Sequence, residues 1–79
     1  MVHALMRLKG LRTENGLRQT DMARLLGISQ PTYVQKELGN RPFTQWEIER
    51  LLKTFRKKYE EIFAPAERRV NLRDIAWKD

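Results

Sequence analysis

Two short helical segments separated by a very tight turn constrain the fold of this chain more than any other feature. The first spans residues 19–26 and ends at Gly27, because glycine readily adopts the positive φ that such a turn needs. The second spans residues 30–38, and the Ser29 hydroxyl can accept a hydrogen bond from its first turn. Helices joined so closely must cross steeply. A small residue is required where they approach, and Ala23 supplies it.

Helical periodicity also covers the sequence on both sides of this pair. Residues 4–14 carry a leucine stripe at a spacing of three. Thr44 and Glu47 form a capping box that begins a fourth helix, whose apolar stripe continues to Phe55. Residues 59–63 are predicted to form a short fifth helix.

These segments predict an all-α fold of five helices in a single domain. A chain of 79 residues has no room for a second core, so residues 1–79 form one domain with its core at about 4–63. The short tail, residues 64–79, is ambiguous, because Leu72 and Ile75 fit a helix whereas Val70 and Leu72 fit a short strand.

The charge of the chain is positive and unevenly distributed. The formal net charge is +6, and residues 1–58 hold twelve Lys or Arg against five Asp or Glu. Residues 59–79 hold four against five. An excess of positive charge over residues 1–58 suits a polyanionic partner. Charge alone leaves open the alternative that these side chains only solvate the helices.

The composition argues against an enzyme. The chain has no cysteine, and its only histidine is His3, so thiol chemistry, a His-based metal cluster and a Ser-His-Asp triad are all disfavoured. We expect no metal, no cofactor and no catalytic residues. We also expect a cytoplasmic protein, because no apolar run is long enough for a membrane helix and residues 2–11 do not resemble a secretory leader.

Several short motifs occur in register between Met6 and Phe63. They are Arg7-Leu8-Lys9-Gly10-Leu11-Arg12, Gly16-Leu17 with Gln19, Ala23 with Gly27 and Ser29, Glu37-x-Gly39-x-Arg41, and Glu60-Glu61-Ile62-Phe63. Together they resemble the Cro/repressor-type family, also called XRE-type or lambda-repressor-like, whose members carry a helix-turn-helix and are common among bacterial and phage regulators. The resemblance implies a helix-turn-helix built from helices 2 and 3, with helix 3 as the recognition helix.

The resemblance also implies which residues of helix 3 would read bases. Gln30 matches the leading reader, where a glutamine amide can bond bidentately to adenine, and Gln35 matches the second. Pro31, Thr32 and Val34 lie on the same outward arc when 100° per residue is counted from Tyr33 as the inward residue, and the Val34 methyl groups would suit a thymine methyl. The alternative is that these residues are ordinary solvated positions.

Phosphate contacts are expected from helix N-termini and from polar or basic residues at the rim. The candidates are Gln19, Arg18, Ser29, Arg41 and Lys36. Arg12 and Glu37 resemble a family pair that ties helix 1 to the recognition helix, and we expect a partly buried structural ion pair.

Two residues depart from the family pattern, and the surroundings of a third residue, Trp46, are not decided by the sequence. Arg18 stands where the family usually has a Ser or Thr cap, and Lys36 stands where it usually has a bulky apolar residue. Trp46 lies almost opposite the buried stripe of helix 4. It could contact a second protomer or the DNA backbone, or it could be a partly exposed ring against Arg50.

The implied function is that of a sequence-specific double-stranded DNA-binding transcriptional regulator, a phage- or prophage-type repressor or a Cro-like protein. Such domains usually bind as homodimers, and the protein would then be associated with the bacterial nucleoid. Val70, Leu72, Ile75 and Trp77 make the tail apolar enough to form a dimer interface with helix 5, although it could instead fold back on its own core. An antitoxin that binds a partner toxin, and a protein-interaction module that has lost DNA binding, remain alternatives.

Overall fold

The computed structural model of the protein describes residues 5–63. Within that range it contains five α-helices and no strand. The helices are α1 (Met6–Glu14), α2 (Gln19–Leu26), α3 (Gln30–Glu37), α4 (Gln45–Phe55) and α5 (Tyr59–Phe63). The predicted all-α, five-helix fold is confirmed. The predicted start of helix 1 at Ala4 and the predicted tail interface lie outside the described residues.

The turn between α2 and α3 has the geometry that its sequence predicts. Gly27 ends α2 in the left-handed conformation at φ 70°. The N–H of Ile28 then donates to the carbonyl of Ala23 at 3.0 Å, which satisfies a carbonyl at the end of the helix. Ser29 begins α3 and accepts a hydrogen bond from the Thr32 N–H at 3.3 Å. Both helix ends at this turn are therefore capped by local contacts.

Every helix contributes to one small core. The buried apolar residues are Leu8, Met22, Ala23, Leu26, Tyr33, Leu51 and Ile62. Three of the seven come from α2, which makes it the central helix of the domain. Phe43 and Phe63 extend the core at one side through an edge-to-face contact between rings whose centroids are 5.7 Å apart. No pair of these helices could bury its apolar face alone, so the turn between α2 and α3 depends on the whole bundle.

The first turn of α4 contains the predicted capping box. The Glu47 N–H donates to Thr44 Oγ1 at 3.1 Å, and the Thr44 N–H donates to Glu47 Oε1 at 2.8 Å. The apolar stripe of α4 is deepest at Leu51, which is fully buried, whereas Ile48 is only half-buried. The helix ends at Arg56, which has a left-handed backbone at φ 56°.

Candidate nucleic-acid interface

One face of α3 is open to solvent and the opposite face is buried. Gln30, Pro31 and Gln35 are exposed, while Thr32 and Val34 are half-buried. Each of the five predicted base-reading residues is thus at least partly accessible. The buried face contains Tyr33, Lys36 and Glu37, which hold the helix against the rest of the domain.

Two of these accessible side chains make local hydrogen bonds. Thr32 Oγ1 accepts from the Ser29 hydroxyl at 2.8 Å, so these two residues form a small polar cluster at the start of α3. Gln35 Oε1 accepts from Asn40 Nδ2 at 2.7 Å, so this contact uses the oxygen of the Gln35 amide and not its N–H groups. The sequence does not predict the contact between Asn40 and Gln35, because it depends on the path of the chain after α3.

A surface groove joins the start of α2 to the start of α3. It is lined by Arg12, Leu17, Arg18, Gln19, Thr20 and Gln30. Two of the predicted phosphate contacts therefore share a concavity with the leading predicted base reader. The free N–H groups in the first turn of α2 lie at the same end of the helix.

The predicted phosphate-contacting residues differ in their solvent exposure. Arg18 and Arg41 are exposed, and Gln19 is half-buried. Arg18 has no side-chain acceptor and so cannot cap α2. Asp21 replaces part of that function, because its Oδ2 accepts from the Arg18 N–H at 2.7 Å. This hydrogen bond, with the nearby Arg18 and Arg24 charges, lowers the pKa of Asp21.

The buried carboxylate of Glu37 lies at the centre of the contacts that hold α3. It accepts two hydrogen bonds from Arg12, at 2.8 Å from Nε and 3.3 Å from Nη2. It also accepts from the Tyr33 hydroxyl at 2.8 Å and from Gln19 Nε2 at 3.2 Å. The structure thus brings the predicted ion pair together and uses one amide donor of Gln19 inside the protein.

These contacts shift the titration of the groups involved. Burial alone would raise the pKa of Glu37, but hydrogen bonds from Arg12, Tyr33 and Gln19 outweigh it and lower that pKa below its ordinary value. The hydrogen bond to Glu37 raises the pKa of Arg12. Burial raises the pKa of Tyr33, and its hydrogen bond to Glu37 adds to the shift. At neutral pH the cluster therefore holds an ionised carboxylate, a guanidinium and a neutral phenol.

Lys36, which is predicted to contact phosphate, does not lie at the exposed surface. Lys36 is buried, and its Nζ lies 2.6 Å from Glu47 Oε1 in the first turn of α4. The ammonium also lies 5.8 Å from the centre of the Phe43 ring. In this arrangement the Lys36 ammonium is paired with Glu47 inside the domain. The sequence marked Lys36 as unusual and Glu47 as a capping residue, but no local signal linked two residues eleven positions apart across a loop.

Trp46 lies on the exposed side of α4, and its ring is partly covered by Arg50. The guanidinium carbon is 5.5 Å from the ring centre, and the residue is 56% exposed. Arg50 Nε also donates to the carbonyl of Leu25 at 3.3 Å, which ties α4 to the end of α2. The arrangement matches the predicted alternative of a partly exposed ring against Arg50.

No group of three or more His, Cys, Asp or Glu within residues 5–63 could hold a metal ion. Among those same residues, no helix has both the length and the apolar character needed to cross a membrane.

Comparison with known proteins identifies the family. The helix-turn-helix domain family model matches residues 5–58, which includes all of α1 to α4. No curated protein and no solved structure matches the chain. Members of helix-turn-helix DNA-binding families are typically not enzymes. With its α2–α3 pair, exposed α3 face and matched span, the chain belongs to the helix-turn-helix domain family, which indicates a DNA-binding regulator.

Proposed function

We propose that this protein is a sequence-specific double-stranded DNA-binding transcriptional regulator of the Cro/repressor type. The observation that carries the proposal is the division of α3 into an exposed polar face and a buried face anchored by ion pairs. A helix held rigidly at the surface fits the major groove of B-DNA. Gln30 and Gln35 are its readers, because both are exposed and carry amides that can pair with base edges.

The residues around the groove and after the end of α3 support phosphate contacts on both sides of the reading residues. The first turn of α2 offers free backbone N–H groups beside Arg18, which suits a phosphate. Gln19 would use the amide N–H that it does not donate to Glu37. Ser29 lies at the start of α3, and Arg41 is an exposed cation after its end. Phosphate contacts at both ends of α3 would fix its register in the major groove.

A single recognition helix contacts only a few base pairs, so we propose that the protein binds as a homodimer. The two half-sites would then lie about 34 Å apart, one turn of DNA. The tail at residues 64–79 stays the predicted interface, together with α5. Repressor or Cro-like activity on phage or prophage promoters is the corresponding biological proposal.

The test is a selection of duplexes from a randomised library by the full chain, followed by gel shifts at two salt concentrations. We expect a preferred sequence bound at least about 1,000-fold more tightly than scrambled DNA, with affinity that falls steeply as salt rises. Failure to enrich any sequence, with weak binding to all duplexes, would contradict the proposal and favour a protein-interaction module.

Two variants separate base reading from phosphate contact. Gln30→Ala should relax the preference at one or two base positions, with a loss of about 1–3 kcal/mol in discrimination. Arg41→Ala should weaken binding to all sequences alike and reduce the slope of the salt dependence by about one. An unchanged preference in Gln30→Ala would show that Gln30 is not a reader.

A further inference from the structure

The last turn of α3 carries two adjacent charged residues that are both buried and that pair with different parts of the domain. Glu37 accepts from Arg12 of α1 and from Gln19 of α2. Lys36 instead pairs with Glu47 of α4. Neighbouring residues on a helix point about 100° apart. The end of α3 is therefore held from two directions.

The two sides of α3 differ in how closely the helices pack. The backbone of α3 packs more closely against α2 than against α1 or α4. The Lys36–Glu47 ion pair spans this larger separation with two long side chains, at 2.6 Å between Nζ and Oε1. The side chains are only 7% and 5% exposed.

Stability is a weak reason for such a pair. Removing two charges from water costs about as much as their attraction returns, and apolar replacements are often neutral or stabilising. A hydrogen-bonded ion pair, however, has a defined length and direction that an apolar contact lacks. Glu47 is itself fixed by its capping contacts with Thr44, so it offers Lys36 a rigid partner.

We propose that the Lys36–Glu47 pair fixes the orientation of α3 against α4. It thereby sets the positions of Gln30 and Gln35 relative to the base edges of bound DNA. The inference rests on the proposed function, because it concerns how the reading helix is held. Lys36 and Glu47 act as positioning residues and contact no base.

The test uses the full chain and the preferred duplex selected by the wild type. Lys36→Met combined with Glu47→Gln removes both charges, while the Gln side chain can still accept from the Thr44 N–H in the capping box. Binding is measured to the preferred duplex, to duplexes with single base changes and to scrambled DNA, and folding is checked by urea unfolding. We expect the double variant to fold and to lose about tenfold in discrimination among these duplexes, with unchanged affinity for scrambled DNA.

Leu52→Ala is the matched control. Leu52 lies on α4 and packs against the core, so its truncation lowers stability without touching the ion pair. We expect this variant to retain wild-type discrimination. Loss of discrimination in Leu52→Ala to the same degree would overturn the proposal, because a general loss of stability would then explain the effect.

A second variant keeps the test decisive if the double variant does not fold. Lys36→Arg keeps the charge balance with Glu47 but changes the length and donor geometry of the pair, and it should show an intermediate loss of discrimination. Wild-type discrimination in either folded variant overturns the positioning role. Absence of sequence preference in the wild type itself is a different result, because it refutes the proposed function and not only this inference.

Discussion

Arg12 and Glu37 lie 25 positions apart in sequence, and the Arg12 guanidinium donates to both carboxylate oxygens of Glu37. A third donor group of the same guanidinium bonds the carbonyl of Leu17 at 3.0 Å. One arginine therefore connects α1, the segment before α2 and α3. This contact holds α3 against α1 in addition to the apolar packing of α3 and its Lys36–Glu47 pair with α4.

Breaking this pair from one side should be strongly destabilising. Glu37→Gln leaves the Arg12 guanidinium buried without its counter-charge, so we expect a loss of about 3–5 kcal/mol in the free energy of unfolding at pH 7. Urea denaturation followed by circular dichroism measures it. The double variant Arg12→Met/Glu37→Gln should lose less than the sum of the two single changes. Additive losses would mean that the two residues are not coupled.

Acid should unfold the protein through its buried glutamates. Burial alone would raise the pKa of Glu47, but hydrogen bonds from Lys36 and the Thr44 N–H lower it, as the contacts of Glu37 do for that residue. A carboxyl whose folded pKa is below the unfolded value, about 4.3, stabilises the fold fully above that value. The contribution is lost as pH falls through the folded pKa.

The free energy of unfolding should therefore be nearly constant from about pH 7 to 5.5 and should fall below about pH 4.5. Urea midpoints across this range provide the measurement. Glu47→Gln is the control, since it removes one titrating group and should flatten the acid limb by up to about 1.4 kcal/mol per pH unit. An acid limb as steep as that of the wild type would exclude Glu47 as a contributor.

Replacing Arg56 with glycine should stabilise the domain. Arg56 ends α4 with φ 56°, a left-handed conformation that costs a residue with a Cβ about 1–2 kcal/mol relative to glycine. Because glycine also gains freedom in the unfolded chain, we expect a net increase of about 0.5–1 kcal/mol in the free energy of unfolding. Thermal and urea unfolding measure the change.

Lys53→Gly is the matched control for that substitution. It removes the same charge from an exposed position inside α4, where glycine is unfavourable, so it should cost about 1 kcal/mol. Equal effects from the two variants would show that charge, and not backbone conformation, governs the outcome.

Two glycine-to-alanine changes should act in opposite directions. Gly27 has φ 70° in the turn between α2 and α3, and an added Cβ there would meet no atom within 4 Å. Gly27→Ala should therefore destabilise by about 1–2 kcal/mol through backbone strain alone. Gly10 is inside α1 with equally open space, so Gly10→Ala should stabilise by about 0.5–1 kcal/mol. Differential scanning calorimetry of both variants measures the two changes in stability. A Gly27→Ala variant as stable as the wild type would contradict the expected backbone strain at this position.

Local chemistry explains why much of the fold was predictable. The bounds of α2 and α5 match their predictions, and the Thr44–Glu47 capping box begins α4 as expected. These signals depend on residues a few positions apart, such as Gly27 after the last turn of α2. The exposed face of α3 follows equally from its periodicity once Tyr33 is taken as the inward residue.

The sequence by itself determined the bounds of α2, the turn at Gly27 and the cap of α3 at Ser29, because caps, turns and periodicity are properties of short stretches of chain. The surroundings of individual polar side chains were decided only by tertiary structure. Lys36 is predicted from the sequence to contact phosphate, yet the packing of α4 encloses it beside Glu47. Gln19 similarly donates inward to Glu37. Whether a charge faces DNA or the protein interior depends on which distant helix comes to lie beside it, and no local pattern encodes that distance.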